Sequence, residues 1–330
     1  WRKTQVVAAR VYPSPLRPHY VKALGPEQGV FVRVGSSNRA ADRSMIEELR
    51  RLAGSRAFDE DPMPALDSEA IDFRAASEFF APVRRLSRRD LAVLGVVAQH
   101  HGKTVPSTGG VLLFGRERRR WFPDAYIQAG RFAGEDRTRI RDSVEIRSHL
   151  PQAPEEALAF LRKHEAVALD IRGARHEERW PVPLVAAREA IINALVHADY
   201  AQRGAPIRVS VFDHRLEVES PGLLPFGLTV DDILRGVSKL RNRVIGRVFK
   251  EMGLIEQWGS GIGRMLAACR EAGLPDPRFE EVGWHFRVTL SKRRVAPHGA
   301  DPVEEKILGL LAGGQGHTTA QIARAIARTP

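Results

Sequence analysis

Residues 188–200, REAIINALVHADY, restrict the fold of this chain more than any other stretch. Ala190, Ile191, Ala194, Leu195 and Ala198 recur at helical spacing and make a near-continuous apolar face. Such a face belongs to a helix pressed into a core. Within it Glu189 and Asn193 stand four residues apart, which sets both side chains on one edge, and His197 extends that edge by another turn. A carboxamide oxygen suits a hard cation such as Mg²⁺. A carboxylate beside it is able to hold a water for attack on a phosphate. The same two residues also fit the solvent edge of an ordinary amphipathic helix, and the stretch alone does not separate the two readings.

A second stretch, 258–265 (WGSGIGRM), bears on that choice. Gly259, Gly261 and Gly263 open a helix expected over 262–272, where bare backbone lets N–H groups approach a phosphate and the helix end adds favourable potential. A tight packing turn between helices would also use these glycines. A dinucleotide-binding fingerprint does not fit, because the six-residue G-x-G-x-x-G spacing, a preceding strand and a ribose-binding acid are all missing. No G-x-x-x-x-G-K-[ST] loop occurs either. Between the two stretches, 207–213 and 215–220 alternate as strands around His214, so a hairpin is expected. A Pro-Gly break at 221–225 and a mostly helical, basic segment at 226–252 follow, and 284–290 reads as a closing strand.

Upstream, 6–13 and 29–38 have strand periodicity. The second ends in Gly35-Ser36-Ser37-Asn38-Arg39, with Arg33 just before; hydroxyls, backbone donors and arginines suit a phosphate backbone, and a plain turn into the helix expected over 42–52 has the same composition. The acidic, proline-bearing 56–83 reads as a linker or crossover with a short helix at 68–80. Helices are expected over 86–101 and 154–169, strands over 110–115 and 125–132. The basic run 116–120 beside Trp121 reads either as a solvated charge run or as a phosphate-binding patch. After a linker at 293–302, 303–312 and 319–327 resemble the first two helices of a helix-turn-helix whose third would follow Pro330. The chain starts at Trp1 rather than Met, so both ends are read as truncated.

Lys+Arg number 51 against 40 Asp+Glu, a net +11 that favours a polyanionic partner, nucleic acid before membrane. An arginine-rich genome is the other source of such an excess. Cys269 is the single cysteine, which excludes an internal disulfide and suits a reducing cytoplasm. No apolar run approaches the ~18 residues of a membrane span, and no leader peptide is evident. Histidines lack zinc spacing.

The order E-x-x-x-N on a helix, a hairpin, a Pro-Gly turn, a hinge-like segment and G-x-G-x-G resembles the GHKL ATPase fold. More closely, REAIINALVHADY, ESPGLLP and LRNRVIGRVFKEMGLIEQWGSGIGRM resemble bacterial and archaeal transcriptional regulators. Their ATPase-like module is labelled as the carboxy-terminal domain of a RecG-like helicase. GVFVRVGSSNRAADRSMIEELRR resembles the later half of the Schlafen AlbA_2 domain, a DNA-binding module of those regulators. The implied fold is α+β: an AlbA_2-like α/β domain, a GHKL (Bergerat-type) α/β sandwich and the start of a winged helix. The expected boundaries are 1–83, a connecting α/β region 84–170, the GHKL-like domain 171–292, and a linker with truncated winged helix 293–330.

The resemblance implies roles for particular residues. Glu189 would be the base that orients water, and Asn193 the Mg²⁺ ligand. Gly222, Gly259, Gly261 and Gly263 would bind nucleotide, with Arg241 and Asn242 as the Arg-Asn pair ahead of the phosphate-binding helix. Arg33, Ser36, Ser37, Asn38 and Arg39 would bind nucleic acid. One departure stands out. GHKL ATPases place an aspartate after the second strand to accept the adenine amino group, followed by G-x-G, whereas here the region reads Glu219-Ser220-Pro221-Gly222-Leu223-Leu224. The expectation is therefore a cytoplasmic DNA-binding regulator, homodimeric by analogy, whose ATPase-like domain senses ATP with Mg²⁺. An active Mg²⁺-dependent GHKL ATPase is the alternative. A Schlafen-like nuclease is the third reading, but 6–38 holds one acid, Glu27, with which to bind a metal.

Overall fold

The computed structural model describes residues 18–34, 37–53, 57–164, 168–172, 175–225, 227–255, 259–292 and 321. The expected strand at 6–13 and the helix-turn-helix at 303–327, apart from residue 321, lie outside these residues. Contacts divide the chain into two units, Trp1–Glu165 with Val182–Lys292, and Ala166–Pro181 with Arg293–Pro330.

Among the described residues the first unit opens with a 3-10 turn (Lys22–Leu24) and α1 (Gly25–Gln28), then a hairpin of β1 (Phe31–Val34) and β2 (Ser37–Ala40), then α2 (Arg43–Ala53). Ser37 and Asn38, expected as a turn leaving one long strand, instead open the second strand, opposite Val34 and Arg33. Val30, Ala41, Ile46 and Leu49 form a small apolar cluster separate from the main core.

The acidic segment 57–83 packs into the core, in contrast to the expected linker. Its helix α3 (Phe73–Phe80) ends on a fully buried Phe80, and Asp59 is also fully buried. The helix expected over 86–101 is only α4 (Asp90–Val93); β3 (Val97–His100) and β4 (Lys103–Pro106) follow as a hairpin. Its two-residue turn needs positive φ at both positions, and His101 (φ 46) and Gly102 (φ 76) supply it. The strand expected at 110–115 is a helix, α5 (Thr108–Phe114). Ser107 caps it by accepting the Gly110 N–H at 2.9 Å. All seven residues of α5 are buried, so no polar face marks the helical period, and a short apolar run of this kind looks the same as a buried strand. In α6 (Arg118–Trp121), Arg118 is neither solvated nor open to a phosphate. It is buried and donates to the carbonyls of Leu112, Arg147 and Ser148, and burial pushes its pKa down to about 10.

Next come β5 (Ile127–Phe132), β6 (Ile140–Ile146) and α7 (Ala153–His164). The hairpin β7 (Ala168–Arg172) and β8 (Arg175–Arg179) belongs to the second unit and, with 180–181 and residue 321, is all of it that is described. Back in the first unit are α8 (Leu184–His197), β9 (Ile207–Val211), β10 (Arg215–Pro221), α9 (Val230–Leu234), α10 (Arg243–Glu251), α11 (Gly261–Glu271), β11 (Arg278–Val282) and β12 (His285–Ser291). One six-stranded sheet, ordered β11-β12-β10-β9-β5-β6, runs through both the expected connecting region and the expected ATPase-like region. Its β5–β9 pair is parallel and the others are antiparallel.

Strand alternation gives the sheet two unlike faces. Val209, Val211, Leu216, Val218 and Val288 are buried on the face that α7 and α8 cover. On the opposite side Glu217 and Glu219 are buried in ion pairs with Arg137, Arg215 and Arg287. α8 is Ala-rich, which lets it lie close against α7, α11 and β10 at once. Among the described residues, no helix is long and apolar enough to cross a membrane.

Candidate functional site

A cleft of about 830 Å³ opens between α8, the end of β10, α9, α10 and the start of α11. Its volume lies in the range of small-molecule sites. The floor is apolar, with Val218, Met265, Phe279, Phe286 and Val288 among the residues that line it.

The helix-borne acid and amide meet the glycine stretch here. Glu189, Asn193 and Gly261 all line the cleft. A Cβ built on Gly261 would stand 2.8 Å from Glu189 Oε2 and 3.6 Å from Asn193 Nδ2, so only glycine leaves this approach open. Glu189 is 4% exposed, and its Oε1 lies 2.9 Å from Arg264 Nη2 and 3.9 Å from Arg188 Nη1. Asn193 presents its carboxamide to the cleft, with no hydrogen-bond partner for it among the described residues.

The three glycines differ. Gly259 has φ +66 and sits 3.0 Å, measured from a built Cβ, from Ser238 Cβ, so it is needed both for its conformation and for its closeness to the segment before α10. Gly261 faces Glu189. Gly263 has open space around it and does not line the cleft. Gly222 also lines the cleft, at φ +97, and donates its N–H to the Trp284 carbonyl at 2.8 Å.

Arg241 and Asn242 hold the framework instead of lining the cleft. The Arg241 guanidinium donates to the Leu223 carbonyl and steadies the turn after β10. Asn242 is buried, and its amide donates to the carbonyls of Val196 (2.9 Å) and Ala198 (2.8 Å), so it caps the last turn of α8. Asp59 performs the matching task for α10. Its carboxylate accepts the N–H groups of Arg243 (2.9 Å), Val244 (2.6 Å) and Ile245 (2.9 Å) at the helix start. Burial outweighs these donors and pushes the Asp59 pKa up to about 6. The neutral form of His197, at the far end of the α8 edge, is favoured by burial and by the Arg241 guanidinium, which together push its pKa down to about 4.

At the end of β10, Glu219 and Ser220 point to opposite faces of the sheet. Glu219 projects from the face of β10 away from the cleft, where Arg137 and Arg287 hold it at 2.9 and 2.5 Å. Burial opposes its ionisation, but the two guanidiniums more than offset this and keep its pKa below the ordinary value. Ser220 instead lines the cleft, and its hydroxyl is the polar group at that point of the strand.

Of the expected nucleic-acid residues, Arg33, Ser37, Asn38 and Arg39 lie together on the β1–β2 hairpin, and Ser36 lies outside the described residues. Arg33 Nη1 donates to Asn38 Oδ1 at 3.1 Å, and Arg39 lies over the Trp284 ring at 6.0 Å. None of the four lines the cleft. Two cationic arrangements were not assigned to the site from the sequence, although Arg243 stood among the basic groups of 226–252. Arg264 follows Gly261 by three residues, and Arg243, Arg247 and Lys250 recur along the cleft side of α10 at the i, i+4, i+7 spacing of one helix face.

Residues 204–290 match the family described as "Putative ATP-dependent DNA helicase recG C-terminal", so a RecG-like, ATPase-like domain is present in that part of the chain. The fold as a whole is similar to the crystal structure of the DIP2311 protein from Corynebacterium diphtheriae. The TM-score is 0.56 at 23% identity over 90% of this chain, which spans 62% of that protein's chain. No protein of curated function matches the sequence.

Proposed function

We propose that the chain is a nucleotide-responsive DNA-binding regulator, with ATP and Mg²⁺ bound in the cleft and DNA held by the β1–β2 hairpin. The convergence of Glu189, Asn193 and Gly261 on one cleft carries the reading. The bare backbone at Gly261 and the first turn of α11 offer N–H groups to phosphate oxygens. Asn193 offers an unengaged carboxamide oxygen to Mg²⁺, an ion that takes few protein ligands beside its phosphates and waters. When bound, Mg²⁺ neutralises phosphate charge. The apolar floor suits a purine, and the Ser220 hydroxyl is placed to hydrogen-bond its edge in place of a carboxylate. A homodimer is part of this reading and is checked by sedimentation.

An active ATPase is the second reading, favoured by the position of Glu189 beside Gly261. The Arg264 guanidinium already engages that carboxylate at 2.9 Å, which occupies the oxygen a water would need and favours sensing over turnover. ATP turnover by the wild type against Glu189→Ala separates the two. Slow, equal rates support the sensor, and a wild-type rate that the substitution abolishes supports the enzyme. For DNA, binding should weaken steeply as salt rises, because neutralised phosphates release counterions. Duplex retention that does not respond to salt, or to Arg33→Ala with Arg39→Ala, would refute that half of the proposal.

A further inference from the structure

The cleft follows α8 from Glu189 to His197, eight residues or about 12 Å of helix. Gly222 and Ser220 lie at the His197 end, and Gly261 and Arg264 at the Glu189 end. A nucleotide laid along this edge with its base beside Ser220 carries its phosphates towards Gly261. The phosphate furthest from the base then arrives at Glu189. A carboxylate is a poor neighbour for that group, since both are anions on one wall in a site of reduced dielectric. Arg264 is the residue that resolves the conflict. It is fixed on α11 one turn from Gly261, lines the cleft, and already touches Glu189 Oε1 at 2.9 Å.

We infer that Arg264 determines phosphate-number specificity, resting on the nucleotide-binding reading above. Its guanidinium pairs with Glu189 and neutralises it. With a triphosphate present the same planar fork spans the carboxylate and the terminal phosphate oxygens. A diphosphate ends short of it and leaves the Glu189 pair as it is. The cleft therefore distinguishes a nucleoside triphosphate from its diphosphate through one side chain, and the ion pair reports which is bound.

Calorimetric titration of the full chain with ATP, ADP and adenosine in the presence of Mg²⁺ tests this. Arg264→Gln alone leaves the buried Glu189 with only the more distant Arg188 guanidinium, 3.9 Å away, so the double variant Glu189→Gln/Arg264→Gln, which removes both charges together, is measured beside it. The wild type should prefer ATP over ADP by about tenfold or more, as a charge-assisted bidentate contact implies. That ratio should fall to near one in both variants, while ADP and adenosine affinities hold. A wild type without the preference, or a double variant that keeps it, would overturn the role of Arg264 while leaving nucleotide binding intact. Failure of all three ligands to bind the wild type would overturn both.

Discussion

Asp59 offers the sharpest test of how the cleft is built. Its carboxylate joins 57–61 to the start of α10, 184 residues away in sequence, through three backbone N–H groups. Asp59→Ala orphans all three donors, of which the Val244 and Ile245 N–H groups are buried. A lost helix cap costs about 1–2 kcal/mol, and a buried unsatisfied group about 1–3 kcal/mol. The substitution should therefore lower stability by about 2–4 kcal/mol, with the spread set by how far water reaches the cavity. The pH dependence makes the test specific. The Asp59 pKa is raised in the fold from 3.8 to about 6, so the folded state binds this proton more tightly than the unfolded chain. Its stabilising share is complete below about pH 4 and is lost as pH rises through about 6. At about 1.4 kcal/mol per pH unit the whole change is about 3 kcal/mol. Urea unfolding of the wild type and Asp59→Asn at pH 4.5, 5.5 and 7.5 reads it, with the variant removing every other titrating group from the difference. The wild type should lose ground to Asp59→Asn steadily across that range. A difference that stays flat, or that grows in favour of the wild type with pH, would refute the reasoning.

Other substitutions separate framework from ligand contacts. Gly222→Ala places a Cβ 2.8 Å from Asp199 Cβ at a φ of +97, and should destabilise by about 1–3 kcal/mol or more in thermal unfolding. Asn242→Ala uncaps α8 and should cost about 1–3 kcal/mol, yet the nucleotide affinity of the folded fraction should not change; a selective loss of affinity would instead make Asn242 a ligand contact. Gly261→Ala inserts a methyl 2.8 Å from Glu189 Oε2 and should weaken ATP binding about tenfold with a smaller effect on unfolding, whereas Gly263→Ala, in open space, should alter neither.

What the sequence made legible was local and periodic. The apolar stripe of 188–200 required a buried helix, the alternation at 207–220 required a hairpin, and both are present. The convergence of Glu189 with Gly261 was implied by the resemblance to the GHKL fold, and no local pattern reports it. Misreadings arose where burial removes the pattern. α5 has no exposed face from which to read a helical period, and the apolar residues of 91–97 hide a helix end and a strand start in one run. Side-chain direction was harder still. Asn242 precedes the glycine loop, with α10 between them, but caps α8, and Glu219 stands beside Ser220 yet points to the opposite face of the sheet. Proximity in a motif does not specify which way a side chain turns; the parity of the strand and the helix ends in need of partners do. The parallel β5–β9 pairing joins segments 80 residues apart, which no local pattern reports.

Hydrogen–deuterium exchange of the full chain, with and without ATP and Mg²⁺, measures the nucleotide claim most directly. The expected result is slowed exchange at 259–265 and along 189–197, with little change in β3–β4. Protection absent from both stretches at saturating ATP, or confined to residues far from Gly261, would contradict it.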